Sequence, residues 1–482
     1  MNVVLEDGLQ HWTASSLQQA VEDAQTWLQG SATRVLASVL DNSAAFVALD
    51  EALLASGRVH VPLPPFFTAA QMQHALVATG TDTLVTEAAW AKGWPGLTWQ
   101  AINLAGRELV ATRLPSAPHA LPPGTAKITF TSGTTGTPKG VCLSRAAMAS
   151  VAQGLVTALS PLGIERHLNA LPFSVLLENI AGLMAPRQQG TTLVTLGMQA
   201  LGLQGSSQFD APTFHRTVSE SQANSLILLP QMLRAWCGYL QHTGQRAPGA
   251  LRFVAVGGAA VGPALLHAAH SLGIPAYEGY GLSEGASVQT LNLPGASKPG
   301  SVGRPLGHAQ LRCAADGEIE VSGSLFTGYL GDPTPSPAWW PTGDLGSIDT
   351  DGFVYIQGRK KNVLITSFGR NVSPEWVETS LCSQPGILQA VVFGDGEPSL
   401  SAVLWPMGAD LSDAALQAAV DRSNALLPDY ARVSRWTRAR AAFHISTGLA
   451  TANGRPQRTA IWAQHADLLS TLAATKNPAT TP

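Results

Sequence analysis

Residues 128–141 read Ile-Thr-Phe-Thr-Ser-Gly-Thr-Thr-Gly-Thr-Pro-Lys-Gly-Val, and nearly every one is a residue that a phosphate group selects. Thr131, Ser132, Thr134, Thr135 and Thr137 offer hydroxyl donors to phosphate oxygens. Gly133, Gly136 and Gly140 let the backbone turn tightly and bring its N–H groups against an anion. Lys139 adds a point charge on a flexible stem. The β-prone stretch Ile128 to Thr131 leads in, so the loop is expected at a strand end. It is not the GxxxxGK[ST] phosphate loop, because its lysine follows Pro138 and precedes Gly140 rather than a metal-binding Ser or Thr. A plain Ser/Thr/Gly-rich surface turn is the competing reading.

Further polar segments follow. Tyr280-Gly-Leu-Ser-Glu284 sets the Ser283 hydroxyl beside the Glu284 carboxylate, oxygen ligands of the kind Mg²⁺ takes. Asp344 lies in the turn Pro341-Thr-Gly-Asp-Leu345, and one carboxylate can accept two hydroxyl protons at once. Gly358-Arg-Lys-Lys-Asn-Val363 and Gly369-Arg-Asn-Val-Ser-Pro-Glu-Trp-Val-Glu378 come next. Taken singly, Glu284 could be a solvated turn residue, Asp344 a turn former and Lys360-Lys361 a solvated basic pair.

The elements that must position these residues alternate. Ser16 to Leu28, Ser43 to Ser56 and Gln71 to Thr79 have helical spacing; Val35 to Val39, Val59 to Leu63 and Thr83 to Thr86 read as strands. This is the rhythm of βα units around a largely parallel sheet. Arg145 to Leu159 predicts a helix, Leu168 to Phe173 a strand, Val175 to Pro186 a helix and Thr191 to Thr195 a strand. Ser225 to Leu229 and Arg252 to Val256 predict buried strands ending at Pro230 and at Gly257-Gly258-Ala259. Ligands of open α/β sheets sit at such carboxyl edges. Period-two alternation in residues 317–323 and 351–356 predicts a small β-rich subdomain from about 290 to 356. A boundary is expected near 358–361. Beyond it, Trp376 to Cys382 and Leu411 to Leu427, the latter capped by Asp410, predict helices; Ile387 to Phe393 and Ser401 to Trp405 predict strands. The final residues of the Ala/Thr-rich stretch from Leu469 to Pro482 are expected to be disordered.

A chain of 482 residues exceeds one growing core, so two or three domains are expected. The charged fraction is a low 13%, and a net charge of −3 gives no electrostatic reason to bind nucleic acid or an anionic membrane. Cys142, Cys237, Cys313 and Cys382 are far apart and read as core thiols in a reducing compartment. No signal peptide is apparent, and no segment approaches the ~20 apolar residues of a membrane span. A cytoplasmic protein is expected, with loose membrane association or a lipid-handling partner left open.

The segments beginning at Ile128, Tyr280, Thr342, Gly358 and Gly369 resemble, in order, the signatures of the adenylate-forming superfamily: acyl- and aryl-CoA synthetases, peptide-synthetase adenylation domains and luciferase-like enzymes. The resemblance runs from about Asp41 to about Ile461. It implies an α/β fold: a multi-lobed N-terminal domain (1–357) with parallel sheets and the β-rich subdomain, a hinge (358–361) and a small mobile α+β C-terminal domain (362–482). It implies two half-reactions: a carboxylic acid and ATP give an acyl-adenylate and pyrophosphate, then a thiol displaces AMP. Thr131 to Lys139 would embrace the β- and γ-phosphates, with Thr131 and Lys139 catalytic. Glu284 and Ser283 would hold Mg²⁺, and Tyr280 would stack on adenine, with Gly258 and Gly281 completing the nucleotide site. Asp344 would grip the ribose, Arg359 would be a second ribose and phosphate contact, and Lys361 the hinge residue. Gly369 would meet the phosphopantetheine channel, and Asn371 to Pro374 would cap the next helix.

Two departures matter. The family's catalytic lysine lies in a segment such as T-x-x-G-K-x-x-R; here Thr451-Ala-Asn-Gly-Arg-Pro-Gln-Arg458 puts Arg455 there. Arginine is planar and fork-shaped, so the exchange is not conservative at a tight site. A working arginine variant, another residue in the role, or loss of the first half-reaction would each account for it. Secondly, Leu171 to Glu178 resembles a long-chain acyl-CoA synthetase segment with His three residues before Glu; Val175 replaces the His and Glu178 remains. Asn224 to Pro230, residues 257–260 and Glu278-Gly279 are expected to line the acid pocket. Gln222 and Asn224 flank Ala223, near which a peptide-synthetase domain places an Asp, so a fatty or otherwise apolar acid is expected. The acceptor is coenzyme A or a carrier protein's phosphopantetheine. A carrier-dedicated or amine-acylating enzyme and a non-catalytic nucleotide-binding relative are the alternatives.

Overall fold

Buried β-prone runs alternating with helices build two large mixed sheets in the N-terminal portion. The computed structural model describes residues 3–475 except 118, 132–138, 205–207, 333, 335, 409, 452 and 453. One sheet has eight strands, in which Val35–Val39 pairs in parallel with both Val59–Pro62 and Thr83–Glu87. The other has nine, with Phe253–Val256 parallel to both Ser225–Leu228 and Ala276–Leu282. Helices pack between them. Ala44–Ala55 buries almost every side, so its apolar residues form no single stripe. Ala14–Gln29 instead buries one stripe, Leu17, Ala20, Val21, Ala24 and Leu28, and starts at Thr13, whose hydroxyl accepts from the Ser16 amide.

A sealed ionic cluster pins the strand that leads to the glycine-rich segment expected to bind phosphate. Lys127, on Thr125–Thr131, is 0% exposed and its Nζ donates to Asp50 Oδ2 at 2.9 Å and Asn179 Oδ1 at 2.5 Å. Asp50 Oδ1 meets His60 Nδ1 at 2.5 Å, and His60 Nε2 lies 2.7 Å from Ser38 Oγ. Opposite charges and neutral donors compensate the desolvation that such burial imposes.

A four-stranded antiparallel sheet follows, made of Ala309–Cys313, Glu318–Gly323, Trp340–Ile348 and Val354–Arg359. It starts later than the sequence reading had it, because Ser287–Leu291 pairs back onto Ala276–Leu282 of the large sheet. The C-terminal portion has a three-stranded sheet, Ile387–Phe393, Leu400–Pro406 and Val433–Arg438, with helices Pro374–Cys382, Asp413–Ala425 and Arg458–Thr475. Val377, Leu381, Val392 and Leu416 belong to a separate core there. The fold is thus a large mixed α/β N-terminal part with a smaller α+β C-terminal part.

Several expectations shift. The strand expected over Leu168 to Phe173 is Arg166–Leu168 alone. Beyond it, Asn42 serves the backbone in place of a ladder: its Nδ2 donates to Leu171 O, and its Oδ1 accepts from Phe173 N. The helix after it carries a π-helical stretch, Glu178–Met184. Ser412 rather than Asp410 caps Asp413–Ala425, its hydroxyl accepting from Ala415 N. The last helix runs through much of the Ala/Thr-rich tail to Thr475, and residues 476–482 lie outside the described ones. Cys313 is exposed and is not a core thiol. Among the described residues no helix is long and apolar enough to cross a membrane.

Candidate active site

Strands Thr125–Thr131 and Lys139–Ser144 form an antiparallel hairpin whose last pair is Thr131 with Lys139. The loop residues Ser132, Gly133, Thr134, Thr135, Gly136 and Thr137 lie outside the described residues; Thr131 and Lys139 fix where the loop leaves and rejoins the sheet. Gly328–Tyr329 pairs with the second hairpin strand and sets Tyr329 beside Lys139, whose Nζ is 5.2 Å from the ring centroid. The Tyr329 hydroxyl donates to Glu284 Oε1 at 2.7 Å. Phe326 and Trp340 meet the Tyr329 ring edge-on at 5.0 and 5.9 Å, fixing it. Glu284 sits with Ser283 on a single 3₁₀ turn after strand Ala276–Leu282. Gly281 is required there, since a Cβ would lie 2.0 Å from Ser287 O.

Asp344 and Arg359 are cross-strand partners in the small sheet. Arg359 Nε is 2.8 Å from Asp344 Oδ1, and the Tyr280 hydroxyl donates to Asp344 Oδ2 at 2.6 Å. Asp344 is 4% exposed; burial raises its carboxyl above the usual range although Arg359 opposes the shift. Burial, reinforced by Asp344, holds the Tyr280 phenol well above its ordinary value. A ribose would therefore use the remaining lone pairs of an already engaged carboxylate.

Arg455 arrives from the C-terminal part on a tight turn, with Thr451 N donating to Arg455 O at 2.8 Å and Arg455 N to Thr451 Oγ1 at 3.2 Å. Burial by the surrounding protein, then the Arg359 charge, lower its pKa; Asp344, Glu284 and Tyr280 oppose them. The side chain nonetheless remains accessible to solvent along the cleft. Lys361 is lowered by burial and by Arg359, Arg455 and Lys139, with Asp344 opposing. Its neighbour diverges: Lys360 Nζ bonds Asp316 at 2.6 Å and Glu318 at 2.8 Å. Arg458, three residues past Arg455, makes a bidentate pair with Glu378 at 2.5 and 2.7 Å inside the C-terminal part. The two parts touch where Arg234 Nη1 donates to Cys382 O and where a Cβ on Gly262 would meet Thr379 Cγ2 at 2.8 Å.

Lys361 thus lies within electrostatic reach of Arg359, Arg455, Lys139 and Asp344, and Arg455 within reach of Arg359, Asp344 and Glu284, so these four cations gather by two carboxylates. Glu375 also acts on Asp344 and Asp332 lies by Lys139, but only Arg359 of the four cations pairs with Asp344, so the arrangement can offer positive charge to an anion. Among the described residues no three His, Cys, Asp or Glu gather to hold a metal by themselves. Glu284, with one oxygen on Tyr329, is a hard oxygen donor that would suit Mg²⁺.

At the carboxyl edge, Gly257 N donates to Leu228 O, and Gly258 has φ +87° with Leu229 Cδ2 at 3.0 Å from where a Cβ would be. Glu278 is buried and accepts from Val261 N at 3.0 Å; burial pushes its carboxyl up to about 7. Asn224 does not serve a pocket: its Oδ1 accepts from Glu165 N and Arg166 N, tying two strands together. Gln222 is exposed in the left-handed position that ends helix Ala211–Ser221. Val175 N donates to Pro172 O, while Glu178 is buried in the helix that follows. Gly369 closes a turn onto Thr366 O, and Ser373 begins Pro374–Cys382 with its hydroxyl on Glu375 rather than on the helix backbone. Sequence reasoning missed Tyr329 and the Asp50–Lys127 pair. Tyr329 lies on Gly328–Tyr329, a two-residue strand of another sheet than Glu318–Gly323, and Lys127 lies inside a β-prone run, so neither gave a sequence signal.

A family model described as AMP-binding enzyme matches residues 2–330, and one described as AMP-binding enzyme C-terminal domain matches residues 361–476. The chain belongs to this adenylate-forming, AMP-binding family. It is 40% identical over 162 residues to the long-chain-fatty-acid–CoA ligase FadD15 of Mycobacterium bovis, covering 32% of this chain and 27% of that protein. The match thus spans about a quarter of that relative's length. The probable CoA ligase CCL9 of Humulus lupulus is 27% identical over 430 residues, covering 81% of this chain and 80% of that one. The solved anthranilate CoA ligase AuaEII with anthranoyl-AMP shares the fold at a TM-score of 0.79 and 19% identity, over 98% of this chain and 95% of that one.

Proposed function

We propose that this chain is an AMP-forming acid–thiol ligase that activates a carboxylic acid with ATP and passes the acyl group to coenzyme A. The gathering of cations around Asp344 and Glu284 carries this reading. Joining a carboxylate to the α-phosphate of ATP is limited by anion–anion repulsion and by charge on the transferring phosphoryl group, which fixed cations and N–H donors relieve. Lys139 and the loop that Thr131 opens hold the β- and γ-phosphates. Arg455 lies between the attacking carboxylate and the α-phosphate. Asp344 and Arg359 receive the ribose, and Tyr280 packs against adenine, its hydroxyl oriented by Asp344. Bound at Glu284 and Ser283, Mg²⁺ supplies further neutralisation of the phosphates. Pyrophosphate leaves, and a thiolate then displaces AMP from the acyl-adenylate.

The same proposal treats residues 358–361 as a hinge about Lys361 between residues 1–357 and a mobile domain of 362–482. Rotation there removes Arg455 and brings the Gly369 loop to the thiol channel. The acid is fatty or otherwise apolar, which the name of the FadD15 relative and the apolar lining behind the strand edges support. Pyrophosphate release from an acid panel, with and without coenzyme A, tests the reading. Apolar acids should exceed amino acids by about tenfold or more in kcat/KM. A free amino acid as best substrate overturns the pocket assignment. Release that needs a carrier protein but not coenzyme A changes the acceptor, and ATP binding without any acid-dependent release marks a non-catalytic relative.

A further inference from the structure

A mostly apolar cavity of about 50 Å³ behind the strand edges is lined in part by polar groups that adenylation does not use. It begins at Ile227 and Ala255, each one residue from the carboxyl end of its strand, and reaches back along the sheet face to Ser225 and His167. Alternation along a strand puts Ser225 and Ile227 on one face, so both can line one channel. Leu177 and Ala181 close the opposite wall, Ala181 from the π-helical stretch Glu178–Met184. Such stretches are rare and recur at functional sites. The space holds on the order of three or four water-sized groups, enough for a ring edge or a short chain.

The far end is incompletely satisfied. His167 is 4% exposed, and its Nδ1 lies 2.8 Å from Ser225 Oγ. Its Nε2 has no hydrogen-bond partner; Glu178 Oε1 is 3.7 Å away, beyond bonding range. Glu178 is 0% exposed, its Oε1 accepting from Asn169 Nδ2 at 2.9 Å and its Oε2 unpartnered. With the Nε2 proton turned to this carboxyl group, Nδ1 accepts from Ser225, whose oxygen keeps lone pairs for a further donor. A hydroxyl donating to those lone pairs would gain a bond that a hydrocarbon tail cannot make.

We infer that the acid taken by this chain has a short apolar body or ring ending in a hydroxyl group, which donates to Ser225 Oγ, held in place by His167, at the far end of the cavity. The inference rests on the ligase reading above and specifies the acid of that same site. The probes are matched pairs, 4-hydroxybenzoate against benzoate and 6-hydroxyhexanoate against hexanoate, each followed by pyrophosphate release. A hydroxylated acid should lead its partner by about tenfold or more in kcat/KM in at least one pair, because a site built around a hydroxyl rejects the analogue lacking it. Ser225→Ala should bring that ratio towards one, the change appearing in KM for the hydroxylated acid. A ratio at or below one in both pairs for the wild-type protein, or a preference untouched by Ser225→Ala, overturns the inference while the ligase reading stands. Absence of release with every acid in both series and in the wider panel removes the ligase reading itself.

Discussion

The chain contains two clusters of nearly the same chemistry, a carboxylate flanked by cations and hydrogen-bonding rings, put to different ends. In the sheet core, Asp50 is closed in by Lys127, His60 and Asn179, all supplied by the N-terminal part. In the cleft, Asp344 meets Arg359 and Tyr280, and further charges arrive from both parts of the chain: Lys139 on one side, Lys361 and Arg455 on the other. In the core cluster Lys127 balances Asp50 and His60 stays neutral. In the cleft cluster Glu375 and Asp332 add two carboxylates, yet only Arg359 of the four cations pairs with Asp344, which on the proposed reading leaves charge to meet an anion. Burial and pairing alone do not separate structure from function; the cations beyond Arg359 and the shared ownership do.

Replacing Lys127 should give the largest effect and should be one of stability. Lys127→Ala leaves Asp50 in the core with the neutral His60 but without its counter-charge, a loss of about 3–5 kcal/mol. Urea denaturation would register it as a lower midpoint. A midpoint close to wild type would mean that the core pair carries little and that the two clusters are not opposites. Arg455→Ala should do the reverse: unfolding unchanged, and adenylation from acid and ATP down by about 10²–10³-fold. Thioester formation from supplied acyl-adenylate should be largely spared, since on the proposed mechanism Arg455 acts only where carboxylate and α-phosphate meet. Arg455→Lys should preserve or raise the first rate. Equal losses in both half-reactions would make Arg455 structural.

A smaller effect is expected at Tyr329. Removing one hydrogen bond to a carboxylate with Tyr329→Phe frees Glu284 and should change adenylation by about 3–10-fold, expressed as a higher Mg²⁺ requirement rather than a lower rate at saturation. A lower saturating rate with an unaltered Mg²⁺ requirement would place Tyr329 outside the metal function.

How far this was legible in sequence follows from the range of each contact. The phosphate hairpin, the Ala14–Gln29 stripe and the strand edges at Pro230 and Gly257 are set by neighbours in sequence, so composition and spacing display them. Asp344 and Arg359 are joined by a short hairpin and could be paired by their spacing. Tyr329 reaches Glu284 across 45 positions and Lys127 reaches Asp50 across 77; no periodicity records such pairings. A lysine in a β-prone run reads as solvent-facing until its partner is known. The same limit explains Asn42, which replaces a strand ladder at Leu171 and Phe173 from about 130 positions away.

The pH response should separate the clusters most finely. Burial lowers His60 below its ordinary value of 6.5, outweighing Asp50, so the folded chain holds this ring neutral where the unfolded chain would protonate it. Its contribution is therefore complete above pH 6.5 and is lost as pH falls below 6.5 towards the folded value, since the unfolded state binds the extra proton. Asp50 is held well below 3.8, so its own contribution survives until pH drops under that figure. Glu278 acts in the opposite sense: raised from 4.5 to about 7, it favours the folded state at low pH and loses that contribution as pH rises from 4.5 to 7. The overall slope mixes both, so the informative quantity is the difference between wild type and His60→Asn. The variant should be less stable at pH 8, and the gap should narrow between pH 6.5 and 5 as wild type alone loses the neutral-ring contribution. Thermal unfolding at pH 8, 7, 6 and 5 would measure it. A gap constant across that range would mean that His60 titrates alike in both states, leaving the core cluster no stiffer towards protons than the cleft.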